Sequence, residues 1–189
     1  MAKQLTAARF LLDPKKLWCR VVKKGNFIPP STMLIHRRCF GHSGLFNERV
    51  RRGEDWELIV RLALQHRFVF TARVLCARRR HESNLTSSDA FRDSFSDSMA
   101  LFESLLSLPW SKQERHVLRE ARLTRFAEYG KCCYWKGYPE EARRWLLRAW
   151  KGRPQCLAWL FQVLKACLPL ALVRMGRNLR GRLGRPTRQ

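Results

Sequence analysis

The stretch Glu54-Asp55-Trp56-Glu57-Leu58-Ile59-Val60-Arg61-Leu62-Ala63-Leu64-Gln65-His66, followed by Phe68-Val69-Phe70-Thr71-Ala72-Arg73-Val74-Leu75, decides how this chain is read. Trp56, Ile59, Val60, Ala63 and Leu64 recur at i, i+3, i+4, i+7 and i+8, which places them on one face of a helix. Acids in its first turn and His66 in its last suit the two ends of a helix macrodipole. The run from Phe68 to Leu75 is β-branched and aromatic, so a strand is expected there. Helix and strand are expected to need partner strands from outside this chain. An incomplete α/β layer is therefore expected, with the Asn47 to Gly53 loop delivering Glu54 and Asp55 to an open face.

Outward from this stretch, Thr32 to Ile35 suits a short buried strand, and the two prolines of Asn26-Phe27-Ile28-Pro29-Pro30 keep that run extended. Leu5 to Val22 has loosely helical spacing. On the other side, Gln113 to Trp135 reads as a long helix, Gly137-Tyr138-Pro139 as a break, and Glu140 to Lys151 as a second helix that stops before Pro154. Glycines and prolines punctuate the first half, and Pro109, Pro139, Pro154 and Pro169 the second, so the chain is divided near residue 108. Mixed α/β is expected before that point and helices alone after it.

The 189 residues include 38 Lys and Arg against 15 Asp and Glu, a formal charge of +23. Seven Trp and eleven Phe can build a core, which excludes a disordered basic tail. The first ~30 residues hold no continuous apolar run, so no secretory signal is read and a cytoplasmic chain is expected. The seven cysteines are odd in number and form no CxxC pattern, and read as buried or free thiols. His36, Cys39 and His42 stand at intervals of three, but Arg37 and Arg38 lie among them and no fourth ligand follows at a familiar spacing. They read as a polar turn with a small buried Cys.

Five pieces now stand in order across about 60 residues: Asn26-Phe27-Ile28-Pro29-Pro30-Ser31-Thr32, His36-Arg37-Arg38, Gly44-Leu45-Phe46-Asn47-Glu48, Gly53-Glu54-Asp55-Trp56-Glu57-Leu58 with Arg61-Leu62-Ala63, and Arg78, Arg80, His81 and Asn84. Their order and spacing resemble the C-terminal half of a family-2 glycosyltransferase of GT-A fold. The resemblance implies that Asp55 is the general base that deprotonates an acceptor hydroxyl and that Glu54 orients the site. It puts Ser31 and Thr32 in the loop lining the sugar pocket, where Trp56 stacks on a sugar ring or packs. It makes His81 a ligand of a divalent cation, Mn or Mg, that bridges the donor diphosphate, with Arg78 and Arg80 beside the leaving diphosphate. Read from the residues alone, Glu54 and Asp55 are helix-start acids, where the dipole favours negative charge by roughly 0.3–1 kcal/mol. His81 and the two arginines are then solvated surface residues.

The resemblance covers about residues 1–108. A full enzyme of this kind begins with a βαβ half that ends in Asp-x-Asp. This sequence contains no Asp-x-Asp, since Asp89, Asp93 and Asp97 stand at intervals of four. The expectation is an acceptor and catalytic part without its donor part, inactive by itself, and either a truncated fragment or one part of a split enzyme whose donor half lies on another polypeptide. Its partners would then be a nucleotide-sugar donor and a glycan or lipid-linked acceptor.

Residues 109–154 resemble one tetratricopeptide-type repeat, with Phe126, Tyr129, Gly130 and Cys133 on its first helix and Ala142, Leu146, Ala149 and Pro154 around its second. Small residues at Gly130, Ala142 and Ala149 would let the helices approach closely. Residues 155–189 form a basic tail, and from Ala142 to Gln189 there are twelve Lys and Arg and no acid. Within it, Trp159, Leu160, Val163, Leu164, Cys167 and Leu168 can form one apolar stripe, which either packs on the hairpin or lies on an anionic membrane surface, the inner face in a cytoplasmic protein. Lys165 and Pro169 argue against a membrane span. Two readings of other classes remain, a basic nucleic-acid-binding module and a non-catalytic interaction scaffold. The first has charge and aromatics but no helix-turn-helix, zinc-finger or RNA-recognition pattern.

Overall fold

In a computed structural model of the chain, the structure describes residues 2–48, 50, 52–77 and 91–168. The chain divides into two compact units, Met1–Ala121 and Arg122–Gln189. The first is mixed α/β and the second is helical.

In the first unit, β1 (Ala2–Thr6) and β2 (Arg9–Leu12) form an antiparallel hairpin, and β2 pairs antiparallel with β3 (Phe68–Thr71), giving the order β1-β2-β3. The partner of β3 thus comes from the chain's own N-terminus, where a helix was expected from Leu5 onward. The reason lies at Asp13-Pro14. A residue before proline is pushed out of the α region, and Asp13 sits at φ −69°, ψ 120°. A helix cannot run through it and instead begins there: α1 (Pro14–Lys24) has Pro14 in its first turn, and the Asp13 carboxylate accepts the Lys16 N–H at 2.9 Å. Only the part of the expected helix after Asp13 exists.

The strand expected over Thr32 to Ile35 is also absent. Pro30–Thr32 forms a single 3-10 turn, with the Thr32 N–H and hydroxyl both donating to the Pro29 carbonyl at 2.9 and 2.7 Å, and Leu34 is fully exposed. Pro29 and Pro30 have no N–H to give a ladder, and the nearby hydrogen bonds are spent locally.

After the short α2 (Cys39–Ser43), α3 (Glu54–Gln65) follows within a residue of its expected bounds. Leu17, Trp18, Val21 and Val22 of α1 meet Trp56, Ile59, Val60 and Ala63 of α3 in the core. α4 (Phe91–Ser107) adds Leu101, Phe102 and Leu105. The next helix, α5 (Lys112–Trp135), opens on a reciprocal cap: the Ser111 N–H donates to Glu114 Oε2 at 2.9 Å and the Glu114 N–H to Ser111 Oγ at 3.3 Å. Leu118 and Ala121 from α5 finish the same core. The division of the chain therefore falls inside α5 and not near residue 108. Leu12 and Phe68, directly opposite in the sheet, also pack on this core.

In the second unit, the rest of α5 forms a hairpin with α6 (Pro139–Gly152). Gly137 takes φ 91° at the turn, where the Tyr138 N–H returns to the Cys133 carbonyl at 2.9 Å and the Gly137 N–H to Tyr134 at 3.2 Å. The small residues behave as their spacing indicates. A Cβ on Gly130 would lie 2.7 Å from Leu146 Cγ and 3.1 Å from the Ala142 carbonyl, and Ala142, Leu146 and Ala149 are all buried. α7 (Leu157–Ala166) then packs on α6, burying Trp159 and Ala166. The single stripe expected here is divided: Leu160 and Val163 are half-buried, while Leu164, Cys167 and Leu168 are exposed. Among the described residues no helix is long and apolar enough to cross a membrane.

Candidate active site

The start of α3 is built around a glycine. Gly53 adopts φ 84°, ψ 16°, a left-handed conformation, and a Cβ there would come within 2.8 Å of Leu101 Cδ1. This bend sets Glu54, Asp55 and Glu57 in the first turn of the helix. Asp55 is half-buried, and its Oδ2 accepts a hydrogen bond from the Asn26 side-chain amide at 2.6 Å. Its Oδ1 accepts the Trp56 N–H at 2.7 Å. Asn26 is itself oriented, because its Oδ1 accepts the Ile28 N–H at 2.9 Å. One amide thus joins the Asn26 to Thr32 run to the helix start. A carboxylate has about four lone-pair positions, so two accepted bonds leave room for a proton or an acceptor hydroxyl.

Glu57 and Arg61 have a different role from the two acids before them. Glu57 is 2% exposed, and its carboxylate is gripped bidentately by one edge of the Arg61 guanidinium, Nε to Oε1 at 2.9 Å and Nη2 to Oε2 at 2.7 Å. Arg61 also donates to the Ser43 carbonyl through Nη1 and to the Leu45 carbonyl through Nη2, the latter at 2.8 Å. The pair therefore clamps the end of α2 and the Gly44 turn against α3. Ser43 adds a bond from its hydroxyl to Gln65 Oε1 at 2.7 Å. Further along the loop, Asn47 donates to Ser104 Oγ at 3.1 Å. The i, i+4 spacing of a Glu and an Arg was the available sequence signal, but it does not distinguish a surface pair from this buried one.

Trp56 is a core residue and not a pocket wall. It is 7% exposed, its ring meets Phe102 edge-on at 5.3 Å between centroids, and its indole N–H donates to the Val21 carbonyl at 2.9 Å. Burial against α1 and α4 leaves the ring unavailable for the expected sugar-stacking role. Ser31 and Thr32 are exposed on the 3-10 turn, and Ser31 Oγ lies 3.6 Å from Cys76 Sγ. The chain after β3 thus passes this turn at Cys76; Arg78, Arg80 and His81 lie outside the described residues, as do Asn84 and Asp89. The structure brings Asp55 together with Asn26, and Ser31 with Cys76.

Among the described residues no three His, Cys, Asp or Glu side chains are placed to hold a metal ion, and this includes His36, Cys39 and His42. The described residues thus offer no complete ligand set for the expected Mn or Mg. In the second unit, an open depression of about 660 Å³ at the hairpin turn is lined by Gly137, Tyr138, Pro139, Glu140, Glu141 and Arg144. Beside it the Tyr129 hydroxyl donates to Glu141 Oε1 at 2.7 Å. Burial, then this bond, pushes the Tyr129 phenol well above its ordinary range.

Compared with family models, curated protein sequences and solved structures, the chain gives no match.

Proposed function

We propose that the first unit is the acceptor-side half of a GT-A-type, family-2-like glycosyltransferase, with Asp55 as its general base. The observation that carries this reading is the Asp55 carboxylate at the start of α3, accepting the Asn26 amide at 2.6 Å, which ties two of the pieces behind the resemblance to one another. In the reaction, Asp55 takes the proton of an acceptor hydroxyl as that oxygen bonds to the donor's anomeric carbon and the nucleoside diphosphate leaves. Glu54 and Asn26 orient the base, the Glu57–Arg61 clamp holds the neighbouring loop, and Ser31 and Thr32 line the sugar side. The donor is held by a polypeptide that carries Asp-x-Asp.

The coding sequence immediately upstream of Met1 is expected to encode a βαβ half that ends in Asp-x-Asp. Coexpression of the two should transfer sugar from a nucleotide-sugar to a glycan or lipid-linked acceptor. Asp55→Asn should lower that rate by about 10²–10⁴-fold without changing donor affinity. The chain alone should show no tight binding of nucleotide-sugars in calorimetry, with or without Mn²⁺. An upstream region with no such half, or low-micromolar metal-dependent binding by the chain alone, refutes the proposal.

A further inference from the structure

α7 is apolar on two opposite sides. At about 100° per residue, Trp159 and Ala166 fall on the side that packs on α6, and both are buried. Leu157, Phe161 and Leu164 fall within about 60° of one another on the other side, and they are 72%, 63% and 58% exposed; Leu168, two residues past the end of the helix, is 52% exposed. A helix that only closed a hairpin would turn a polar face outward. Three large apolar side chains in one row, with a fourth just past the helix end, exceed the scattered exposure of an ordinary surface.

The charges around this row select its occupant. Exposed Lys151 stands at the end of α6. Lys165, on α7 itself, lies with its Nζ 4.4 Å from the centre of the Trp135 ring. From Ala142 to the C-terminus the sequence holds twelve cations and no acid. A second copy would bring the same unbalanced charge to the contact. A nucleic acid would match the charge but offers nothing to three leucines. An anionic bilayer matches both features, with acyl chains for the row and phosphates for the cations. Ten residues of helix extend only about 15 Å, half of the hydrocarbon thickness, so α7 lies in the plane of the surface.

We propose that the outer face of α7, built on Leu157, Phe161 and Leu164 and continued by Leu168 just past its end, docks in the headgroup region of anionic phospholipid bilayers. This inference is independent of what the first unit catalyses.

The test is co-sedimentation of the full chain with phosphatidylcholine vesicles with and without phosphatidylglycerol. Binding should require the anionic lipid and fall as salt is raised. The triple variant Leu157→Gln, Phe161→Gln, Leu164→Gln should partition about 30-fold more weakly or worse, and Phe161→Gln alone several-fold more weakly. Both should keep the parent's far-UV circular dichroism and melting temperature, because the replaced side chains face solvent. Undiminished vesicle binding by the triple variant overturns the proposal. So does a fall in its melting temperature without lipid, which would mean that the chain itself covers the row. A parent dimer that the variant abolishes in light scattering, or salt-sensitive RNA binding without vesicle binding, would overturn it as well.

Discussion

Replacing Arg61 by Met should be among the most damaging single changes in the first unit. The Arg61 side chain is 11% exposed and that of Glu57 3%, so neither charge is relieved by water when the other is lost. The substitution keeps the length of the aliphatic stem but strands the carboxylate and removes the donors to the Ser43 and Leu45 carbonyls. Breaking a buried pair in this way costs about 3–5 kcal/mol, against a total domain stability of about 5–15 kcal/mol. The double variant Glu57→Leu, Arg61→Met removes both charges and leaves mainly the Ser43 carbonyl without its donor, since Leu45 is exposed. It should lose only about 1–3 kcal/mol. The i, i+3 pair of Arg125 and Glu128, with side chains 29% and 53% exposed, is the contrast. Arg125→Ala should cost no more than about 1 kcal/mol. Urea titrations followed by far-UV circular dichroism and tryptophan fluorescence measure all of these. An Arg61→Met loss below about 1 kcal/mol, or a double variant as unstable as the single one, would refute the argument that a desolvated carboxylate controls this region.

Two further predictions concern the second unit. Gly130→Ala should destabilise the hairpin by about 1–3 kcal/mol in urea titration despite the helix-propensity gain of about 1 kcal/mol, because its Cβ would meet Leu146 Cγ at 2.7 Å and backbone atoms at 3.1 Å. Gly41→Ala, with nothing within 4 Å, should be neutral or slightly stabilising, and equal effects at the two sites would refute the close approach. Burial and the Glu141 bond raise the Tyr129 phenol in the folded chain above its ordinary value of 10.0, and burial also raises Tyr134. The unfolded chain then releases these protons first, so the stabilisation is complete below pH 10 and declines above it, by about 1.4 kcal/mol per pH unit for each fully shifted group. Tyr129→Phe should make stability fall less steeply between about pH 10 and 11.5 than in the parent, as read by urea midpoints, and parallel profiles would refute it.

The second unit shows why a local pattern can be enough and where it stops being so. Gly130, Ala142, Leu146 and Ala149 pack as their spacing indicates, because helices in a short hairpin have little choice of partner. α7 is different. Its sequence permits several apolar faces, and which one turns inward depends on the surface that α6 presents.

Periodicity by itself determined α3 and the helices of the hairpin, because 3.6-residue spacing is a property of consecutive residues, and the aromatic run after Arg67 likewise marked β3. Capping is local as well, yet the reading of Leu5 to Val22 as one helix passed over the Asp13-Pro14 cap. Only the tertiary structure decided that β3 pairs with β2 across more than fifty residues of chain, and that Thr32 to Ile35 has no ladder to join. It also gave two acids of one helical turn different surroundings. Glu57 is buried on Arg61, Asp55 accepts the Asn26 amide, and Trp56 between them faces the core. Strand pairing and burial depend on residues distant in sequence, and desolvation turns an exposed carboxylate into a structural one, so no local pattern contains that information.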